Sequence, residues 1–188
     1  PDIRVINNSW GTDFYPSLDP LKDIPADVIS GQDGEIKALR KLSEEYGKVV
    51  VFAAGNNSMI APSVDGMMPR YAPDLTGWIS VVSLNIAGIT TATDGTRTIG
   101  PSGVSYFSNL GSKAYLWTVA APGSNINSLN ATTNGYMLDS GTSMAAPYVS
   151  GTVGLVAQAF PWMTGKQLAD AVLTTADNTF VAPTHLVQ

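Results

Sequence analysis

Residues 141–147 read Gly-Thr-Ser-Met-Ala-Ala-Pro, a turn of small residues that leads into a long apolar run. The run predicts a buried helix that continues to about Phe160. Thr142 or Ser143 would be its N-cap, which places the Ser143 hydroxyl among backbone N–H groups that have no partner within the helix. Pro147 cannot donate to the Ser143 carbonyl, so the first turn should be bent or loosened. The segment therefore indicates either a capped core helix or a nucleophilic hydroxyl beside donors for an oxyanion.

The composition describes a compact, acidic domain. Of the 188 residues, 44% are hydrophobic and 13% are charged, which is typical of a chain that buries a core and not of a disordered one. The net charge of −5 argues against a phosphate-binding surface, so no nucleic-acid partner is expected. No apolar run approaches the ~20 residues that span a bilayer. The lack of cysteine in the sequence excludes disulfides and thiolate metal sites.

The order of the predicted elements indicates an α/β fold. Residues 3–7 form a predicted strand, residues 35–46 a helix, and residues 48–53 a strand covered on both faces. Strand, helix and strand at this spacing make a βαβ unit, so the sheet should be mainly parallel. A strand that begins at residue 3 also predicts that the chain starts within a fold. Further predicted elements are strands over 77–84, 104–107 and 116–120, and a helix over 164–175 with a capping box of Thr164 and Gln167.

Two more segments follow predicted strands. Residues 49–57 read Val-Val-Val-Phe-Ala-Ala-Gly-Asn-Asn, which puts Asn56 just past the end of a buried strand. Ligands collect at the carboxyl ends of strands in open α/β sheets. Gly-Asn is also a common turn pair, so a plain turn is the alternative. Residues 7–11, Asn-Asn-Ser-Trp-Gly, leave the first strand in the same way. Neither segment decides a function by itself.

Taken together and in this order, the three segments resemble motifs of the subtilisin-like serine proteases, the subtilases: N-x-S-[LFW]-G, A-A-G-N and G-T-S-M-[AS]-x-P. The resemblance implies a three-layer α/β fold with a mainly parallel sheet flanked by helices. It makes Ser143 the nucleophile and Asn56 a donor to the tetrahedral oxyanion, beside the backbone N–H of Ser143. It also implies a substrate channel with a roomy, mostly apolar S1 pocket, formed by Ser9, Trp10 and Gly11 on one side, by Ala53, Ala54 and Gly55 on the other, and by Thr142.

The resemblance leaves one gap, which is the catalytic base. A serine hydroxyl needs a base, and the base needs an orienting carboxylate; subtilases carry this Asp and His before the N-x-S-[LFW]-G segment. The single histidine of this chain, His185, follows Ser143. The resemblance therefore implies that residues 1–188 are the C-terminal two-thirds of a single subtilase catalytic domain, truncated at the N-terminus. The parent would be a serine endopeptidase that acts on polypeptide substrates, and the isolated chain should be inactive without the missing N-terminal part.

Three alternatives stay open. A pseudoprotease or peptide-binding module that never had the base would keep the same groove, and a non-peptidase esterase would keep the same nucleophile. The order Ser143, Asp170 or Asp177, and His185 is that of α/β-hydrolases. Those enzymes set the nucleophile in G-x-S-x-G, whereas this chain has G-T-S-M-A. We therefore expect His185 to be a surface residue.

Two segments narrow the resemblance. Phe-Pro-Trp-Met-Thr at residues 160–164 and Leu-Thr-Thr-Ala at residues 173–176 resemble the closing helices of autotransporter subtilases of Gram-negative bacteria. Residues 68–71, ahead of residues 78–82, resemble the same group less closely. This resemblance implies an exported parent, anchored in the outer membrane, and hence a location outside the cell or on its surface.

The resemblance also bears on metals and partners. Many subtilases bind calcium through loop carboxylates, but Asp13, Asp19, Asp23 and Asp27 show no ligand-like spacing, so no metal or other cofactor is placed. Without the N-terminal elements of the domain, a strand edge and apolar surface would be exposed. Such surfaces favour self-association of the chain.

Overall fold

A parallel sheet carries the residues of interest. The computed structural model describes residues 3–11 and 33–177, and its main sheet contains β1 (Val5–Asn8), β2 (Val49–Ala53), β3 (Trp78–Leu84) and β6 (Thr118–Pro122). The strands lie in the order β1-β2-β3-β6, and every neighbouring pair is parallel. All residues of β2 and β3 are buried, and β2 is accordingly apolar throughout, whereas β3 includes the buried serines Ser80 and Ser83. The predicted α/β class and parallel sheet are confirmed.

Helices cover both faces of this sheet. They are α1 (Asp33–Glu44), α2 (Met68–Tyr71), α3 (Thr142–Ala159) and α4 (Gly165–Thr175). Successive residues of a strand point to opposite faces, so β2 contributes to two cores. Val49 and Val51 pack with α3 and α4, whereas Val50 and Phe52 pack with α1 and α2. The result is a three-layer arrangement with α3 against all four strands.

The ends of the helices follow the sequence signals closely. The capping box of Thr164 and Gln167 opens α4 as predicted. Helix α1 begins and ends two residues before the predicted bounds of 35 and 46. Helix α3 stops one residue before Phe160, but it is buried on its sheet side only, because Tyr148 is 50% exposed and Leu155 68%. Within residues 3–11 and 33–177, no helix has the length and apolarity needed to cross a bilayer.

Two antiparallel hairpins were not predicted. One joins β4 (Ile89–Thr91) to β5 (Arg97–Ile99), and the other joins β7 (Ile126–Asn130) to β8 (Gly135–Asp139). Most of their side chains are exposed, so they lack the apolar alternation that marks a half-buried strand. The only sequence feature that indicates these hairpins is in their turns, where Asp94-Gly95 and Asn134-Gly135 are typical hairpin pairs.

The strand predicted over residues 104–107 is wrong. Val104 forms only an isolated bridge with Leu84, and the chain then turns through hydrogen-bonded bends. Ser105 and Ser108 instead donate or accept side-chain hydrogen bonds to the end of β3. Hydroxyl groups that bond to a neighbouring strand offer the backbone an alternative to a strand ladder.

Candidate active site

A cleft opens where the carboxyl ends of β1 and β2 meet the start of α3. Its volume is about 220 Å³. The parallel register of β1 with β2 ends at Asn8 opposite Phe52, so the segments that follow both strands emerge on the same side. The predicted site residues at this cleft are Ser9, Trp10, Gly11, Ala53, Gly55, Asn56, Thr142 and Ser143, and Asn57 and Ser63 complete the lining.

Ser143 is the second residue of α3 and is partly buried. Its hydroxyl donates to the carbonyl of Ser9 across 3.0 Å, and the Ser9 hydroxyl donates to the carbonyl of Ser143 across 2.9 Å. The Ser143 backbone N–H has no acceptor among the described residues, as expected for the first turn of a helix. The nucleophilic candidate is therefore held by the segment after β1 and keeps a free N–H donor.

The prediction that Thr142 or Ser143 is the N-cap of this helix is wrong. The N-cap is Gly141, and Thr142 is the first helical residue and fully buried. The Thr142 hydroxyl is engaged elsewhere, because it donates to Asn56 Oδ1 across 3.0 Å and accepts from the Gly55 backbone N–H across 3.1 Å. A contact between residues far apart in sequence has replaced the local cap.

These contacts also orient the Asn56 amide. Its Oδ1 accepts from the Thr142 backbone N–H across 2.9 Å and from the Thr142 hydroxyl. With the oxygen engaged, Nδ2 is the free end of the side chain, and it has no acceptor within the described part of the chain. A carbon placed as a Cβ on Gly141 would lie 3.6 Å from Asn56 Nδ2 and 3.6 Å from Ser143 N. The two candidate donors thus lie on either side of one point beside Gly141, and both Asn56 and Ser143 line the cleft.

Trp10 forms the aromatic part of the cleft wall. Its ring meets Phe52 edge-to-face with centroids 5.2 Å apart, and Phe52 stacks on Trp78 at 5.3 Å. Phe52 and Trp78 are fully buried or nearly so, whereas Trp10 is 44% exposed. Aromatic pairs in these geometries add to the stability of apolar burial. The wall is therefore anchored in the core and presents one aromatic face to the cleft.

Ala54 is the predicted channel residue that does not line the cleft. It is fully buried, and its backbone N–H donates to Val81 while its carbonyl accepts from Ser63 N and Asn109 Nδ2. Ala54 follows the last residue of β2, and its side chain is enclosed, so it does not reach the cleft that Ala53 and Gly55 line. Ala54 contributes to the site only by fixing the backbone of its neighbours.

Asn109 is a supporting residue that sequence reasoning missed. It is 1% exposed, and its Oδ1 accepts from the backbone N–H groups of Asn57 and Met59, each across 3.0 Å. Gly55 has φ of +106°, and a Cβ there would lie 2.4 Å from Asn109 Nδ2. Only glycine fits that backbone beside that side chain. Asn109 therefore fixes the loop that carries Asn56. In the sequence it is one asparagine among several serines, and nothing there indicates this role.

Comparison with known proteins identifies the family of the chain that forms this cleft. The sequence model of the subtilase family, Peptidase_S8, matches residues 1–187. The chain belongs to the subtilase family. A curated relative, the Neisserial autotransporter lipoprotein NalP of Neisseria meningitidis, is 26% identical over 94% of this chain and 18% of its own length. The extracellular serine protease of Serratia marcescens is 29% identical over 95% of this chain and 21% of its own length.

The fold comparison agrees with the subtilase assignment. The crystal structure of a cold-adapted subtilisin-like serine proteinase matches with a TM-score of 0.62 at 23% identity, covering 94% of this chain and 50% of that one. This chain spans about a fifth of the length of the two curated relatives. The resemblance to subtilases and the subtilisin-like fold expected from the sequence are thus confirmed.

The partners that a subtilase nucleophile requires are not found at this cleft among residues 3–11 and 33–177. That part of the chain contains no histidine, and His185 lies outside it, so the expectation that His185 is a surface residue stays a prediction. Asp170 forms an ion pair with Lys166, and Asp177 forms one with Arg97. Neither carboxylate lines the cleft, which removes the geometric support for an α/β-hydrolase order.

The described residues form no cluster of metal ligands. Among the described residues no group of three His, Cys, Asp or Glu side chains could hold an ion. Asp13, Asp19, Asp23 and Asp27 lie outside the described residues. The sequence-based expectation about calcium is therefore untested, and no calcium site is assigned.

Proposed function

We propose that this chain carries the nucleophile, the oxyanion hole and part of the substrate cleft of a serine endopeptidase. The observation that carries the proposal is that Ser143 N and Asn56 Nδ2 lie equally close to one point beside Gly141, while Asn56 and Ser143 both line the cleft. Acyl transfer needs this combination, because the attacking oxygen and the donors to the developing oxyanion must be held together. The family of the chain supports the same reaction class.

The proposed reaction uses these groups in the following way. A peptide lies in the cleft with its scissile carbonyl oxygen in front of Gly141, between the two N–H donors. Ser143 Oγ attacks the carbonyl carbon and gives its proton to a base, and the oxyanion that forms is bound by Ser143 N and Asn56 Nδ2. The C–N bond breaks as the base protonates the leaving amine. Water then attacks the carbonyl carbon of the Ser143 ester and gives a proton to the base. The bond from that carbon to Ser143 Oγ breaks, the base passes the proton to Ser143 Oγ, and the peptide acid leaves.

We propose that the base and its orienting carboxylate come from polypeptide outside residues 1–188. The chain has one histidine, and the Ser143 hydroxyl donates to a backbone carbonyl that cannot accept the proton fully. A subtilisin-like proteinase of similar fold is matched over only 50% of its own chain. On this proposal residues 1–188 are the C-terminal two-thirds of one catalytic domain, and the isolated chain is inactive or nearly so.

Ser9, Trp10, Gly11, Ala53, Gly55 and Thr142 would bound the substrate cleft. Their side chains are small or uncharged, and Trp10 supplies the largest apolar surface. Such a cleft suits a peptide whose P1 side chain is apolar. Since the named relatives are an autotransporter lipoprotein and an extracellular protease, we propose that the parent acts outside the cell or on its surface.

The second candidate is a peptide-binding module without catalysis. It is favoured by one observation, the resting hydrogen bond from the Ser143 hydroxyl to the Ser9 carbonyl with no histidine in the described part of the chain. A pseudoprotease would keep the same cleft and bind peptides there. It would do so equally well after Ser143→Ala.

Hydrolysis of a peptide library by a longer form of the protein that contains residues 1–188 tests the proposal. Wild-type protein should release new amino termini, and Ser143→Ala should abolish this release without lowering the unfolding midpoint. Thr152→Ser, which lies on the same helix and keeps its hydroxyl, is the control. Undiminished hydrolysis by Ser143→Ala would overturn the assignment of the nucleophile. Peptide binding without hydrolysis by the wild type would favour the pseudoprotease.

Self-association of the isolated chain is a further proposal. Large apolar side chains are exposed on the β7–β8 hairpin and on α3, including Leu129 at 75%, Leu138 at 63% and Leu155 at 68%. Exposed apolar patches of this kind promote association. Light scattering over a range of concentrations should show a mass that rises above 19.7 kDa. A strictly monomeric mass at high concentration would contradict the proposal.

A further inference from the structure

The carbonyl of Ser143 lacks the partner that a helix normally supplies. In an α-helix this carbonyl would accept from the N–H of the residue four positions later. That residue is Pro147, which lies inside α3 and has no N–H. The Ser9 hydroxyl lies 2.9 Å from the orphaned carbonyl oxygen and donates to it. A side chain from the segment after β1 thus fills a gap in the hydrogen bonding of the helix.

The Ser9 hydroxyl is itself held in a directed chain of hydrogen bonds. Asn7 Nδ2 donates to Ser9 Oγ across 2.9 Å, and Ser150 Oγ lies 2.8 Å from Asn7 Oδ1, nearer than its other acceptor, the Ala146 carbonyl at 3.2 Å. Because Ser9 Oγ accepts from the Asn7 amide, its own hydrogen is left to point at the Ser143 carbonyl. Ser143 and Ser150 are seven residues apart, so they lie two turns apart on one face of α3. The Asn7–Ser9 segment therefore grips the helix at two points.

We propose that Ser9 is a positioning residue for Ser143, and that its hydroxyl stands in for the N–H that Pro147 cannot supply. The inference rests on the proposed nucleophile and goes beyond the role of Ser9 as a cleft wall. Because Pro147 has no N–H, the first turn of α3 lacks its hydrogen bond to the Ser143 carbonyl. The Ser9 hydroxyl makes that bond instead and so fixes the first turn relative to β1. The position of Ser143 Oγ and N is in this way set by the sheet, which also carries the cleft.

Ser9 and Pro147 can be tested together in a double-mutant cycle. Ser9→Ala removes the donor, and Pro147→Ala restores an N–H at the helical position, so the helix can satisfy the carbonyl itself. Ser9→Thr keeps the hydroxyl and should rescue. Thr152→Val is the matched control, because it removes a hydroxyl that donates to the Tyr148 carbonyl on the same helix away from the cleft.

Turnover of a peptide by the longer protein is the first readout. Ser9→Ala should lower kcat about tenfold with KM unchanged, since one unsatisfied, partly buried carbonyl costs on that order. In the Pro147→Ala background the same substitution should lower kcat by less than about twofold. If Ser9 served only as a wall of the cleft, Ser9→Ala would raise KM instead of lowering kcat. The change would then be the same in the parent and in the Pro147→Ala background. Either result would overturn the proposal.

Thermal unfolding of residues 1–188 is the second readout, and it needs no catalysis. Ser9→Ala should lower the midpoint by about 2–4 °C in the parent sequence and by less in the Pro147→Ala background. Equal shifts in the two backgrounds would refute the contact itself. If the longer protein shows no hydrolysis at all, the proposed function fails, and this unfolding cycle still decides whether Ser9 replaces the missing N–H.

Discussion

Gly141→Ala separates the proposed oxyanion site from the stability of the fold. Gly141 has φ of 169°, which is extended backbone that alanine adopts without strain. A Cβ at this position would meet Met144 Sδ at 3.5 Å and both Asn56 Nδ2 and Ser143 N at 3.6 Å, all ordinary van der Waals distances. The substituted chain should therefore fold as the parent does. The added methyl group, however, fills the space between the two candidate donors.

The size of the effect follows from what the methyl group excludes. An oxyanion must come within about 2.7–3.1 Å of each donor nitrogen, and it cannot share that space with a carbon atom. Loss of one such donor lowers kcat by about 10²–10³, a value that comes from subtilisin, a member of this same family, and not from this chain. We expect Gly141→Ala to lower kcat by at least that factor. The unfolding midpoint should change by no more than about 2–4 °C.

The assay is the hydrolysis of a chromogenic peptide by the longer protein, with unfolding of each variant followed by circular dichroism. Gly154→Ala is the control, because it lies in the same helix and a Cβ there meets nothing within 4 Å. It should keep full activity. Full kcat in Gly141→Ala would refute the reasoning, since the oxyanion would then form elsewhere. Unfolding of Gly141→Ala would show that the space is not free.

Two further substitutions test the walls of the cleft. Thr142→Val keeps the volume but removes one of the two hydrogen bonds to Asn56 Oδ1, so the amide is held by the backbone N–H of residue 142 alone. We expect kcat to fall about tenfold, and Thr142→Ser to keep most activity. Unchanged kcat in Thr142→Val would mean that the Asn56 amide is oriented without the hydroxyl. Gly11→Ala puts a methyl group 2.9 Å from Ser63 Oγ and narrows the cleft. It should raise KM about tenfold for a peptide with a large P1 side chain and less for one with alanine, and equal changes for both would contradict the placement of the pocket.

The sequence predicted the elements whose signals are local. The all-apolar residues of β2 indicated a strand buried on both faces, and the Thr164–Gln167 pair indicated where α4 begins. The motif residues Asn56 and Ser143 also come together at one cleft, as the order of the motifs suggested. Each of these inferences needed only neighbouring residues or a known order of motifs.

The sequence failed where a side chain is recruited by a distant partner. Thr142 looked like an N-cap, but its hydroxyl bonds to Asn56, 86 positions away, and Gly141 takes the cap position. Asn109 gave no local signal because its partners lie in the loop after β2. Ser9 was assigned to the cleft, while its bond to the Ser143 carbonyl depends on a proline in another element. Contacts of this kind are decided by the packed fold.

The most direct test of the account is covalent labelling with a fluorophosphonate probe, mapped by mass spectrometry. The probe is attacked by an activated serine hydroxyl and leaves an adduct on that residue. In the longer protein that supplies a histidine, we expect an adduct on Ser143. This adduct should be absent in Ser143→Ala and strongly reduced in Gly141→Ala. Residues 1–188 alone should stay unlabelled. An adduct on another serine, or labelling that persists in Ser143→Ala, would contradict the claim that Ser143 is the nucleophile.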